Sequence, residues 1–165
     1  MSSFSIWLIL EKESRLNYRQ VNQSISKRLN APIFEPHCTI YGRLNTDIKI
    51  LKPFVTKLAK KNNQFSVSVK KLKSGDSYFK SLHVTIANNG ILSELNNICK
   101  KKFYSSRKYG FSPHISIAYG FFSKEEIYLA SKNLIIPNHV VFNGLSIVKT
   151  EKNVKNWETV FYRQF

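Results

Sequence analysis

Two short segments hold residues suited to acid–base chemistry on an ester. His37-Cys38-Thr39-Ile40-Tyr41-Gly42 and His114-Ile115-Ser116-Ile117-Ala118-Tyr119-Gly120 each place a hydroxyl two residues after a histidine, and each follows a proline, Pro36 or Pro113. On a strand, residues i and i+2 share a face. Each segment therefore presents an imidazole and an alcohol together, with Cys38 and Ile40, or Ile115 and Ile117, turned the other way for packing. Cleaving a phosphodiester requires a base to take a proton from the attacking water and an acid to protonate the departing alkoxide. Histidine can fill either role near neutral pH, because its unperturbed pKa is about 6.5. Thr39 and Ser116 can donate hydrogen bonds to the non-bridging phosphate oxygens, where transition-state charge collects. This logic requires no metal or other cofactor, and the sequence lacks the carboxylate clusters of two-metal phosphoesterases.

The two histidines stand close to half a chain length apart. That spacing predicts a duplicated lobe, with a cleft along the pseudo-twofold between the halves. His83-Val84-Thr85 is a third match to the short pattern, but no proline precedes it and no aromatic-Gly pair ends it. Parity sets Phe79, Ser81, His83 and Thr85 on one face, which can line the groove. His83 is therefore a candidate for binding substrate rather than for the primary chemistry. Tyr41 shares the face of His37 by the same parity and is a candidate for stacking on a base or ribose. Strict alternation turns Tyr119 away from His114, so a contact there requires the strand to end or bulge near Ala118.

The elements that must carry these residues are short strands and helices without a long linker. Strands are expected over Ser3–Leu10, 33–42, 65–70, 78–87, 112–119, 140–150 and 157–163. Trp7 belongs to the first of them, read as a core strand. Helices are expected over 16–29 and 46–61, the latter starting near or kinking at Pro53, then after Asn88-Asn89-Gly90, and over 123–134. Ser123 and Glu126 have capping-box spacing, and Pro137 blocks continuation beyond. Strands adjacent in sequence suggest α+β architecture with antiparallel sheets.

The 165 residues suit one domain, 1–165, made of two intimate lobes. Lys and Arg number 26 against 10 Asp and Glu, a net charge of +16 that favours a polyanionic partner, although an abundance of lysine and asparagine can arise from genome composition alone. Lys100-Lys101-Lys102 with Arg107-Lys108 forms a basic cluster that reads more simply as a solvated face at a helix end than as a landing surface for RNA. Two cysteines, Cys38 and Cys99, fit neither a disulfide framework nor a zinc spacing. The expectation is a reduced, cytoplasmic setting, with no membrane span and no signal peptide.

The paired motifs resemble those of the 2H phosphoesterase superfamily, and most nearly its plant and yeast cyclic phosphodiesterase branch. Phe34-Glu35-Pro36-His37, Tyr78-Phe79-Lys80 after a Gly-containing turn, and Lys149-Thr150-Glu151 followed by Asn156-Trp157-Glu158-Thr159-Val160 carry the likeness. The resemblance implies a bilobal pseudo-twofold fold, each lobe an antiparallel sheet with outer helices, and both histidines in a central groove. It implies a cofactor-free monomer that opens a nucleoside 2′,3′-cyclic phosphate, a cyclic phosphate at an RNA 3′ end, or ADP-ribose 1″,2″-cyclic phosphate. It assigns water activation to His114 and the acid role to His37, places Tyr119 against substrate, and sets Trp157 at the border of the groove. The competing readings are a 2′-5′ oligonucleotide phosphodiesterase or RNA-end ligase of the same superfamily, and a basic RNA-binding module without catalysis.

Overall fold

The computed structural model describes residues 3–105 and 107–165. In chain order the elements are β1 (Ser3–Leu10), α1 (Lys12–Leu29), β2 (His37–Leu44), α2 (Ile48–Ala59), β3 (Phe65–Ser74), β4 (Leu82–Ile86), α3 (Gly90–Phe103), β5 (His114–Ala118), α4 (Lys124–Ser131), β6 (His139–Thr150) and β7 (Glu158–Gln164). Local chemistry sets their ends. The Glu11 carboxylate caps the start of α1, and Asn30, which tolerates a left-handed backbone, ends it at φ 50. Ser123 and Glu126 complete the expected capping box on α4. Asp47 caps α2, which runs through Pro53 instead of starting there.

One expected strand differs. Residues 78–87 divide into a 3-10 turn, Tyr78–Lys80, and the shorter β4. The strand parity assumed for Phe79 therefore fails, because the turn breaks the alternation before His83.

The sheet order is β2-β1-β6-β3-β4-β5, and every pairing is antiparallel. This order is palindromic. A pseudo-twofold between β6 and β3 exchanges β1 with β4, β2 with β5, and β6 with β3. Each repeat thus contributes its last strand to the other half, so the two lobes share one sheet. β7 breaks the symmetry by pairing with residues 144–149 of β6, on the edge where β3 holds residues 139–142.

The helices obey the same exchange: α1 packs on β5 and α3 on β2. Their apolar stripes meet Ile40, Ile115 and Ile117, which are buried on the back of the two motif strands. Burying such side chains stabilises the fold by about 1.5–3 kcal/mol each. The motif strands are thereby held from behind, with their other face left open.

Candidate active site

A groove of about 600 Å³ lies on that open face, lined by His37 and Thr39 from β2 and His114 and Ser116 from β5. The two histidines are held alike. His37 Nδ1 is 2.7 Å from the carbonyl oxygen of Glu35, and His114 Nδ1 is 2.6 Å from that of Ser112. A carbonyl can only accept, so each Nδ1 carries the proton and each neutral ring keeps its Nε2 lone pair. The same bond survives when the ring becomes an imidazolium.

Beneath His37 the anchor is itself clamped. Burial would raise the pKa of Glu35, but hydrogen bonds from Arg15 and Arg19 outweigh it and hold the carboxylate low. Arg15 and Arg19 thereby tie α1 to the residue that orients His37. Burial pushes the pKa of His37 down to about 4, opposed by the Glu35 carbonyl and assisted by the nearby His114. Burial likewise brings His114 to about 4, opposed by the Ser112 carbonyl and assisted by Lys80 and His83. Both rings are neutral in the free protein at pH 7.

Each motif strand carries a bulge at the same point. In β1–β2, Trp7 faces Thr39 and Ile6 faces Tyr41, so Ile40 is an extra residue. In β4–β5, His83 faces Ser116 and Leu82 faces Ala118, so Ile117 is extra. A bulge reverses the alternation beyond it. Tyr119 therefore turns onto the groove, where its ring stacks on Phe34 at 3.8 Å. Tyr41 turns inward and is 0% exposed, which corrects its expected place against substrate. Its hydroxyl donates to the Arg107 carbonyl and so supports the segment that brings Arg107 and Tyr109 to the groove. Gly42 occupies the position equivalent to Tyr119, and a Cβ there would lie 3.3 Å from the Tyr109 ring. The groove is thus walled by Tyr119 at one end, and at the other the absence of a side chain at Gly42 lets the Tyr109 ring pack close.

Trp157 also lines the groove, its indole Nε1 donating to the Glu151 carbonyl at 2.8 Å. His83 does not. It is buried behind His114, ring centroids 5.3 Å apart, with Nδ1 3.1 Å from the Lys80 carbonyl oxygen. Its expected contact with substrate is corrected because the 3-10 turn before β4 places Phe79 and Lys80, not His83, at the opening. The hydroxyls differ too: Ser116 Oγ donates to the Phe79 carbonyl at 3.1 Å, whereas Thr39 simply lines the groove.

Several lining residues escaped the reading of the sequence. Trp7 lies flat on His37, centroids 3.4 Å apart and planes at 7°. The signal was present, since Ser3, Ser5 and Trp7 alternate with the core residues Ile6 and Leu8. Arg43, Lys80, Arg107 and Lys152 surround the groove with Glu151 as the acidic neighbour. Arg43 adopts φ 56 at a second irregularity of β2, which no sequence pattern announced.

A duplicated α+β fold that turns a histidine–hydroxyl strand from each half toward one groove is the architecture of the 2H phosphoesterases. The chain belongs to the family described as cyclic phosphodiesterase-like protein, which it matches over residues 1–165. It is an enzyme of phosphodiester hydrolysis. A cyclic phosphodiesterase of Arabidopsis thaliana is 20% identical over 166 residues, covering 95% of this chain and 92% of the relative. Among solved structures, TT0787 of Thermus thermophilus has a TM-score of 0.65 at 13% identity, covering 99% of this chain and 97% of that one. Escherichia coli LigT complexed with 3′-AMP has a TM-score of 0.60 at 12% identity, again covering 99% and 97%. These structural likenesses speak to the fold. Among the described residues no helix is long and apolar enough to cross a membrane.

Proposed function

We propose that the chain hydrolyses a nucleoside 2′,3′-cyclic phosphate, free or at an RNA 3′ end, without a metal, using His37 and His114 as an acid–base pair. The observation that carries this reading is their matched fixation: two imidazoles from equivalent strands line one groove, and each has its Nδ1 proton committed to a carbonyl two residues earlier. Both Nε2 atoms are then free to exchange protons.

In the reaction His114 takes a proton from water as the oxygen attacks phosphorus. The bond from phosphorus to one ring oxygen breaks, and His37 delivers a proton to that oxygen. The product is a phosphomonoester with a free neighbouring hydroxyl. Thr39 and Ser116 meet the non-bridging oxygens, Ser116 exchanging its Phe79 partner for phosphate. Arg43, Lys80, Arg107 and Lys152 supply positive charge toward the phosphate. Tyr119 and Trp157 offer aromatic surface to the sugar and base. The anionic substrate opposes the burial penalty, so one histidine gains a proton on binding that it lacks in the free protein.

LigT has been crystallised with 3′-AMP, ATP and NADP+, which supports a nucleotide-sized ligand here. The whole chain, 1–165, is expected to act as one unit and as a monomer. The test incubates it with EDTA and, separately, 2′,3′-cyclic nucleotides, ADP-ribose 1″,2″-cyclic phosphate and 2′-5′ oligoadenylate. Ring opening that persists in EDTA and falls about 10²–10⁴-fold in His37→Gln and in His114→Gln is expected. Cleavage of 2′-5′ linkages alone, or loss of all turnover in EDTA, overturns the reading.

A further inference from the structure

The two histidines are related by the pseudo-twofold, so symmetry by itself gives no reason for one to act as acid and the other as base. The difference lies behind them. Trp7 of β1 pairs with Thr39, and His83 of β4 pairs with Ser116. Trp7 and His83 therefore occupy the same position in the two repeats, each across from the hydroxyl of its motif. Each also packs on the catalytic ring of its own half. Trp7 lies parallel to His37 at 3.4 Å, whereas His83 meets His114 edge to face at 5.3 Å and 74°.

We propose that Trp7 and His83 are positioning residues that divide the acid and base roles between His37 and His114. The proposal rests on the two-histidine reading above. An indole face attracts a cation, and it does so more strongly where water is excluded. Trp7 is 4% exposed and His37 7%, so this contact is dry. It stabilises the imidazolium that a general acid must be. A second imidazole offers no such face; burial lowers its own pKa, and when it takes up a proton as the pH falls it repels one on His114. That keeps His114 neutral, as a general base must be. One substitution at equivalent sites, indole for imidazole, thus separates two residues that the duplication made alike.

Other charges face these rings as well; His114 disfavours a proton on His37 and so opposes the division, whereas the others act with it. His37 faces the Glu35 carbonyl, the Glu35 carboxylate, which favours a proton on it, His114 and, at 6.3 Å, the Trp157 ring. His114 faces the Ser112 carbonyl, the Lys80 ammonium and His83. His83 faces the Lys80 carbonyl and ammonium, and Lys73 of β3. Lys80 disfavours a proton on His114 directly, which adds to the effect of His83.

The experiment follows the imidazole Cε1 protons of His37 and His114 by NMR through a pH titration, with and without inorganic phosphate as the bound anion. His37→Gln and His114→Gln assign the signals. Trp7→Leu keeps the apolar cover but removes the π-face, and it should lower the His37 pKa by about one unit; Trp7→Phe, with a weaker face, should lower it by less. His83→Phe keeps a ring but removes the titrating group, and it should raise the His114 pKa. In kcat profiles the same changes should move the basic limb down for Trp7→Leu and the acidic limb up for His83→Phe. Where Trp7→Leu does not fold, Trp7→Phe decides that arm. Unmoved titrations in folded variants, or shifts in the reverse directions, overturn the proposal. Undiminished turnover by His37→Gln or His114→Gln would instead overturn the two-histidine reading, and the titrations would stand apart from it.

Discussion

The side-chain amide of Asn96 in α3 donates to the carbonyl of Ile40 at 2.9 Å, the bulged residue of β2. Asn22 in α1 does the same for Ile117, the bulged residue of β5, also at 2.9 Å. A bulge removes a backbone carbonyl from the ladder, and both carbonyls lie where solvent cannot reach them. Each repeat therefore satisfies the other's bulge from its own helix. These bulges turn Tyr119 and Gly42 toward the groove. Asn22→Leu and Asn96→Leu should each lower unfolding free energy by about 1–3 kcal/mol, the cost of a buried unsatisfied acceptor, read by urea denaturation. A midpoint that does not move would show that the bulges hold without the amides.

Stability should also depend on the two histidines. Their pKa values are near 4 in the folded chain against 6.5 unfolded. Between these values the unfolded chain binds more protons, so stability rises with pH. It is fully present above about 6.5 and is lost as pH falls toward 4. For buried His37 the change is on the order of 3 kcal/mol. His37→Gln should flatten the decline in chemical denaturation series taken from pH 7 to pH 4. A variant that declines as steeply as the parent would place the burial penalty elsewhere.

Tyr41→Phe tests the inward turn of that residue. It removes the tie from the Tyr41 hydroxyl to the Arg107 carbonyl and no contact with substrate. Loss of about 1 kcal/mol in stability and a raised KM, through the loosened Arg107–Tyr109 segment, are the expected outcomes. A kcat that drops by orders of magnitude with KM unchanged would mean that the tyrosine reaches the reacting atoms.

The cations of the groove predict a preference among substrates. A cyclic phosphate carries one negative charge, whereas Arg43, Lys80, Arg107 and Lys152 stand against Glu151 alone. A cyclic nucleotide that also bears a 5′-phosphate should react with the higher kcat/KM at low salt. Arg43→Ala should shrink that advantage by about 5–10-fold. Equal loss for both substrates would assign Arg43 to the cyclic phosphate itself.

The sequence alone determined the paired motifs, because His37-Cys38-Thr39 and His114-Ile115-Ser116 are local patterns whose faces follow from strand alternation. It also determined the four helices, through spacing and caps such as Ser123 with Glu126. What it left open depends on contacts between distant residues. Alternation carried past Ile40 put Tyr41 in the groove, and only pairing with β1, in which Ile6 faces Tyr41, reverses it. Trp7 read as core because a strand's two faces look alike until the tertiary fold decides which is covered by helices. His83 read as lining because the 3-10 turn at Tyr78–Lys80 is set by packing rather than by pattern. Local chemistry is written residue by residue, but which face meets solvent, and where a register slips, is settled only when the strands find their partners.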